Sequence, residues 1–339
     1  MTHTPLARTV TTDTMWAAVY RRFGGPDVVR VETVTKPVPG PRDVLIRVHA
    51  STVSAADHRA RSRDIPRGLR MLAGLNLGVL RPRRRVLGMD VAGVVEAVGR
   101  DVTAFAEGDE VIAMLGFRFG GHAEYAILPQ DGAITAKPRN MTFEEAVTLV
   151  FGGLTAKNFL DRAALRAGST VLVNGAGGAV GVAVVQLAKH AGAHVTGVCS
   201  GAKAEMVTSL GAERVIDYTA NDFAAEARTY DVIVDCVGNA PFERVRHQLN
   251  AGGALLLVIT DLRGLLLASR HGRKSGKLVT ANAGKNTAES LRSLVELAEA
   301  GRYRAVSDRS YDLADIAKAH AFVDGGHKTG NVVLRVASS

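Results

Sequence analysis

Thr170-Val171-Leu172-Val173-Asn174-Gly175-Ala176-Gly177-Gly178-Ala179-Val180-Gly181 runs directly into Val182-Ala183-Val184-Val185-Gln186-Leu187-Ala188-Lys189. The first five residues are an apolar run of strand length, and the last segment carries apolar residues along a helical face. A glycine-rich turn joins them. Downstream, apolar runs recur at 194–199, 214–217, 231–236, 253–260 and 277–281, mostly separated by helix-like segments. Six buried strands with helical crossovers predict a parallel sheet covered on both faces, and so an α/β fold. Upstream the pattern differs. Short β-rich segments at 15–21, 44–51, 91–98, 110–113 and 122–128 alternate with turn signals such as Phe23-Gly24-Gly25-Pro26. Thr142-Phe143-Glu144-Glu145 has the form of a capping box and opens the helical part, while 330–336 returns to a strand pattern.

The glycine turn carries the sharpest chemistry. Backbone N–H groups at the start of a helix, with its positive dipole end, bind a pyrophosphate. Gly175 permits the tight turn, Gly178 admits the phosphates, and Gly181 lets the helix lie against the strand. The spacing is G-x-x-G-x-x-G, with Val180 at the last position of the commoner G-x-G-x-x-G. Dinucleotide binding is therefore expected. The end of the second strand selects the coenzyme. It reads Val198-Cys199-Ser200-Gly201-Ala202-Lys203, without the acid that usually accepts from the adenosine ribose hydroxyls. A carboxylate would repel a ribose 2′-phosphate, whereas a hydroxyl and an ammonium would hold it. Ser200 and Lys203, with Tyr218 after the third strand, point to NADP(H).

At 339 residues the chain suits two domains, and 42 Lys+Arg against 33 Asp+Glu leave a net charge of +9. Nearly all of that excess sits between Arg59 and Arg85, where nine arginines face one acid, Asp64. The window lacks base-stacking aromatics and zinc-finger or basic-zipper spacing, so a nucleic-acid partner is not expected. Two readings stand for it: a basic loop drawing an anionic cofactor or substrate to an active site, or a solvated surface loop. Cys199 and Cys236 are too few for a four-thiolate zinc site or a disulfide framework. The longest apolar stretches, 255–259 and 265–268, are too short to span a bilayer, so no membrane partner is expected. The first 14 residues lack the apolar block of a secretory signal, which predicts a flexible tail on a cytoplasmic protein.

Taken together, these segments resemble the zinc-free medium-chain dehydrogenases/reductases of the quinone oxidoreductase (zeta-crystallin-like) branch. The likeness runs from Met15-Trp16-Ala17-Ala18-Val19-Tyr20 to Gly330-Asn331-Val332-Val333-Leu334-Arg335. It is carried by the 87–99 segment with Gly88-Met89-Asp90, by Glu107-Gly108-Asp109-Glu110-Val111, Gly120-Gly121-His122-Ala123-Glu124-Tyr125 and Gly153-Leu154-Thr155-Ala156, and by the glycine turn. The resemblance implies a chaperonin-10-like β-barrel catalytic domain, here 15–145 and 283–339, plus a Rossmann doubly wound parallel-sheet domain, here 146–282. It also implies that Gly178, Ala179 and Val180 line the pyrophosphate and that Thr155, Val237, Ile259 and Asn331 lie along the nicotinamide or its ribose. A homodimer follows too, through an edge strand at Leu278-Val279-Thr280-Ala281.

Departures from the family pattern bear on the chemistry. Zinc-dependent relatives have Gly-His-Glu where this chain has Gly88-Met89-Asp90, and a cysteine near Ser54. Methionine is a poor zinc ligand, and His49, His58 and His122 show no ligand spacing, so no catalytic metal is expected. The Asn usual in zinc-free relatives is replaced by Ser54, with Asp57 and Arg61 kept. Ser54 is then either a hydrogen-bond donor to substrate or, with Asp57, the cap of a short helix. The expected reaction is hydride transfer from NADPH to a quinone or to an α,β-unsaturated carbonyl. Charge on the carbonyl oxygen would be stabilised by Ser54, Arg59 or Arg61. The alternatives are a biosynthetic enoyl reductase acting on an anionic or carrier-bound substrate, and a cofactor-binding relative without turnover, structural or RNA-binding.

Overall fold

The computed structural model describes residues 13–336. Most of the expected tail, 1–14, lies outside the described residues; Thr14 already belongs to the first strand.

The first part of the chain is a β-structure. An antiparallel pair, β1 (Thr14–Tyr20) and β2 (Val29–Thr35), precedes β3 (Asp43–Thr52). Two short helices, α1 (Ala55–Ser62) and α2 (Arg70–Leu77), then lead to β4 (Asp90–Val98), β5 (Glu110–Met114), β6 (Tyr125–Pro129) and β7 (Ala133–Ala136). The long β3 anchors this sheet, pairing antiparallel with β4 on one side and β6 on the other. Its alternating valines and isoleucine, Val44, Ile46 and Val48, pack with Val91, Val95 and Val111.

The chain then changes architecture. Helix α3 (Phe143–Val147) opens on the expected capping box, Thr142 Oγ1 accepting from Glu145 N while Glu145 accepts from Thr142 N. After α4 (Phe151–Arg162) come the six strands of a wholly parallel sheet: β8 (Thr170–Asn174), β9 (His194–Cys199), β10 (Arg214–Asp217), β11 (Tyr230–Asp235), β12 (Leu249–Leu257) and β13 (Leu278–Thr280). They are joined by α5 (Ala179–His190), α6 (Ala204–Ser209), α7 (Phe242–Val245) and α8 (Leu262–Ser275). The strand order is β10-β9-β8-β11-β12-β13. The chain winds outward from β8 and returns beside it as β11, which makes the crevice at the C-terminal ends of β8 and β11 a topological switch point. Strand β12 ends earlier than the apolar pattern suggested: Val258, Ile259 and Thr260 leave the sheet and turn into the crevice.

Helix α9 (Ala288–Glu299), capped by Thr287, rests on β7 and α4. Strand β14 (Ser307–Asp312), helix α10 (Ile316–Asp324) and strand β15 (Asn331–Arg335) close the chain. Strands β14 and β15 return to the first sheet, β15 pairing antiparallel with β3. On the way the chain touches the glycine turn, where Gly330 N donates to Gly177 O at 2.8 Å. An apolar core runs continuously from Leu87 and Ile112 through Val147 and Leu154 to Val173 and Val184, so the two sheets are packed as one body.

Candidate active site

The turn after β8 is built as its residues require. Gly175 takes φ +83°, and a Cβ there would meet Val237 Cγ2 at 2.8 Å. A Cβ on Gly181 would lie 2.1 Å from Gly175 O, so only glycine lets α5 start so close to the turn. Gly178, by contrast, has open space where a side chain would project, its nearest neighbour being Gly175 O at 3.6 Å. It precedes Ala179, Val180 and Gly181, the first turn of α5, whose N–H groups receive no side-chain cap. Gly175 and Gly181 thus meet the backbone demands read from their spacing, while Gly178 leaves open space beside the helix start.

The crevice is a cavity of about 1270 Å³ between the two sheets. At one end it is lined by the glycine turn with Ser200, Lys203 and Tyr218, and in the middle by Thr155, Val237, Ile259 and Asn331. At the barrel end stand Ser54 and Arg59 among Ile65, Leu69, Leu77, Met89 and Phe119. The expected cofactor residues, drawn from segments far apart in the chain, therefore all line this one cavity. Asp235, at the end of β11, shapes the loop that carries Val237. Its carboxylate accepts from the N–H groups of Val237, Gly238 and Ala240 and from Asn174 Nδ2 at 2.8–3.0 Å.

At the Ser200 end, Asp217 is not among the residues lining the cavity, and its Oδ1 accepts from Thr219 N at 2.9 Å and Thr219 Oγ1 at 2.7 Å. Lys203 Nζ donates to Lys328 O at 2.8 Å, while Lys328 Nζ donates to Gly330 O. Burial, and then repulsion from Lys203, pulls the Lys328 ammonium down to about 8; burial also lowers that of Lys203. Two desolvated cations share this end of the cavity, and an anion there would favour the charged form of both. Sequence reading missed Lys328: the segment Gly326-His327-Lys328-Thr329 carries no local signal, and only the returning chain brings it to Lys203.

The barrel end corrects two expectations. Arg61 does not line the cavity. It is fully buried, Nη2 paired with both oxygens of Asp324 at 2.5–2.6 Å and Nη1 donating to Gly24 O at 2.5 Å, a brace between α1 and α10. Fully buried and outside the cavity lining, this guanidinium cannot reach a substrate. Ser54 does line the cavity, yet its hydroxyl donates to Asp57 Oδ2 at 2.5 Å and accepts from Asp57 N at 3.3 Å. It is the cap of α1, and its proton is committed. Arg59 is different: it lines the cavity and makes no hydrogen bond or ion pair among the described residues. Burial lowers its pKa, partly offset by the charge of Asp64. The other arginines of the 59–85 window do not reach the cavity.

The positions that hold zinc in metal-dependent relatives do not fit one here. Met89 offers a thioether, Ser54 is bound to Asp57, and Asp90 is spent on Thr52, its Oδ1 accepting from Thr52 N at 2.9 Å and its Oδ2 from Thr52 Oγ1 at 2.7 Å. Burial pushes the Asp90 carboxyl up to about 7. The histidines are dispersed: His49 stacks on Phe143, His58 bonds Asp324, and His122 bonds Thr52 O.

A parallel doubly wound sheet with a phosphate-ready helix start at its switch point, facing a barrel across a deep cleft, defines a nicotinamide-dependent oxidoreductase. Residues 40–138 match the alcohol dehydrogenase GroES-like domain and residues 210–334 the zinc-binding dehydrogenase family. The chain is 31% identical to the chloroplast envelope quinone oxidoreductase homolog of Arabidopsis thaliana, with 94% of this chain and 98% of that protein covered. It is 32% identical to the NADPH-dependent alkenal/one oxidoreductase of the same plant, with 94% of this chain and 79% of that protein covered. The solved quinone oxidoreductase of Coxiella burnetii superposes with a TM-score of 0.82 at 27% identity, with 96% of this chain and all of that one covered. The chain belongs to the quinone oxidoreductase branch of the medium-chain dehydrogenase/reductase superfamily.

Proposed function

We propose that this protein is an NADPH-dependent reductase of quinones or α,β-unsaturated carbonyl compounds. The observation that carries the coenzyme choice is the convergence of Ser200, Lys203 and Tyr218 on the cavity end beside the glycine turn, where Asp217 is not part of the lining. Lys328 adds a second cation. When bound, the nicotinamide supplies a hydride. The chain's own residues do the rest. The N–H groups of Ala179, Val180 and Gly181 hold the pyrophosphate. Val237, Ile259, Thr155 and Asn331 confine the nicotinamide side. Asn331 Nδ2 is tied to Val306 O at 3.0 Å, so its carbonyl oxygen is held in a set direction.

Ile65, Leu69, Leu77, Met89 and Phe119 exclude water and receive an apolar, electron-poor acceptor. Arg59 is the cation positioned to stabilise negative charge on the acceptor oxygen, and it also favours substrates that carry an anionic group. Kinship with proteins named for quinone and alkenal/one reduction supports this acceptor class. We also propose a homodimer joined through β13, the edge of the parallel sheet, whose outer side has no partner strand among the described residues.

Calorimetry with NADPH and NADH tests the coenzyme. NADPH should bind at least about tenfold more tightly, and Lys203→Ala should erase most of that preference by removing a charge-assisted contact. Tighter binding of NADH, or an unchanged preference in Lys203→Ala, overturns the assignment. NADPH oxidation across quinones, enones and enoyl thioesters then tests the reaction, and no turnover with any of them overturns it.

A further inference from the structure

Beyond the cleft, the largest unused feature is the outer surface of the arginine-rich segment. Helix α2 has two faces. Leu69, Ala73 and Leu77 wall the substrate end of the cavity, while Met71 and Leu75 point away from it. Met71 is 87% exposed, Leu75 71%, Val79 63% and Leu80 90%. Four aliphatic side chains standing this far out of one short stretch form a convex apolar ridge rather than a groove. Around them Arg67, Arg70, Arg81, Arg83, Arg84 and Arg85 are all exposed, and Asp64 is the one acid in the segment.

Helix α8 adjoins this surface. Leu262 N donates to Arg67 O at 3.0 Å, and α8 presents Arg263, Leu266, Arg270, Arg273 and Lys274. Segments 59–85 and 261–277 carry +8 and +4, against +9 for the whole chain, so the remainder is net negative. The excess positive charge thus lies in these two adjoining segments.

We propose that this face docks the protein on an anionic phospholipid surface, with the ridge of Met71, Leu75, Val79 and Leu80 entering the headgroup layer and the arginines on the lipid phosphates. Interleaved aliphatic and basic residues, without intervening acids, are the composition of an interfacial segment. Such docking needs no membrane-spanning element, and no helix among the described residues is long and apolar enough to cross one. A second copy of the chain is disfavoured as the occupant, because two faces of this charge repel. A protein partner fits less well, since protein interface cores are rich in aromatic residues and this ridge has none. The placement has a consequence for the substrate. Because α2 is at once the lipid-facing ridge and a wall of the cavity, docking sets the acceptor end of the cleft at the bilayer surface. A lipid-soluble quinone or enone partitioned into the bilayer would then be the substrate class, and this last clause rests on the reductase reading above.

Flotation of the full-length protein with vesicles tests the docking. Vesicles of phosphatidylcholine with about 30% phosphatidylglycerol should bind it, and pure phosphatidylcholine or high salt should not. Arg83→Glu with Arg84→Glu, and separately Met71→Ser with Leu80→Ser, should each weaken binding by roughly tenfold or more. None of these residues lines the cavity, so NADPH oxidation with a water-soluble acceptor should be unchanged in both variants. Absence of vesicle binding, equal binding to neutral vesicles, or undiminished binding by the variants overturns the proposal. Retention on polyglutamate without vesicle binding, or self-association abolished by the same substitutions, does so too and identifies the other occupant. Failure of turnover with every acceptor would sink the reductase reading while leaving the vesicle result intact.

Discussion

At the scale of single residues, the glycine turn shows that three identical residues can be required for unrelated reasons. Gly181 is held by a backbone oxygen 2.1 Å from where its Cβ would sit, whereas Gly178 faces open space. Gly178 also has φ −89° and ψ 172°, an extended conformation that alanine adopts without strain. Two alanine substitutions therefore part company. Gly181→Ala should destabilise the protein by roughly 2–3 kcal/mol, because the turn has to open. Gly178→Ala should leave the melting temperature nearly unchanged and weaken coenzyme binding by about tenfold, since the methyl group takes the space of the phosphate approach. Thermal melts with and without NADPH check both. Equal stability losses in the two variants would show that Gly178 serves packing alone.

At the scale of elements, α1 illustrates how one short helix carries both the cavity wall and its brace. Ser54 and Asp57 cap it reciprocally, and Arg61 ties it to Asp324 of α10. The Ser54-to-Asp57 spacing was readable as a cap, and the cap is what formed. Arg61 was not readable as a brace, because its partner comes 263 positions later. Ser54→Ala should cost about 1 kcal/mol, as the loss of an N-cap does, and alter kcat/KM by less than about threefold. Urea denaturation and steady-state kinetics on the same preparation decide this. A fall of about a hundredfold in kcat/KM at unchanged stability would return the hydroxyl to direct contact with the substrate.

At the scale of the whole molecule, the returning segment from β14 to β15 completes both the barrel sheet and the coenzyme end of the cleft. Gly330 bonds the glycine turn and Lys328 meets Lys203, so the segment leading into the last strand of one sheet is tied to the cleft end of the other. The quaternary proposal belongs to this scale. Strand β13 is short, with Val279 and Thr280 buried by α8 and one edge unpaired among the described residues. Sedimentation should report a dimer of the 35.8 kDa chain, and Val279→Pro should shift it toward monomer by removing an edge N–H and kinking the strand. A monomer in the parent protein at micromolar concentration removes the proposal. A dimer indifferent to the substitution moves the interface elsewhere.

Read by itself, the chain of residues determined the six parallel strands, the capping box at Thr142 and the backbone demands of Gly175 and Gly181. These depend on neighbours a few positions apart, whose periodicity and backbone demands survive in any window of sequence. Ser200 and Lys203, just past a strand end, are legible as cleft residues for the same reason, and both line the cavity. What the tertiary structure alone decided were the partners: Asp324 taking Arg61 out of the cavity, Lys328 arriving beside Lys203 across 125 positions, and Arg59 left in the cavity wall without a polar partner among the described residues. A charged side chain is silent about its destination until the chain closes on itself. Burial and the nearest opposite charge, both long-range outcomes of packing, determine whether it braces, binds or faces the solvent.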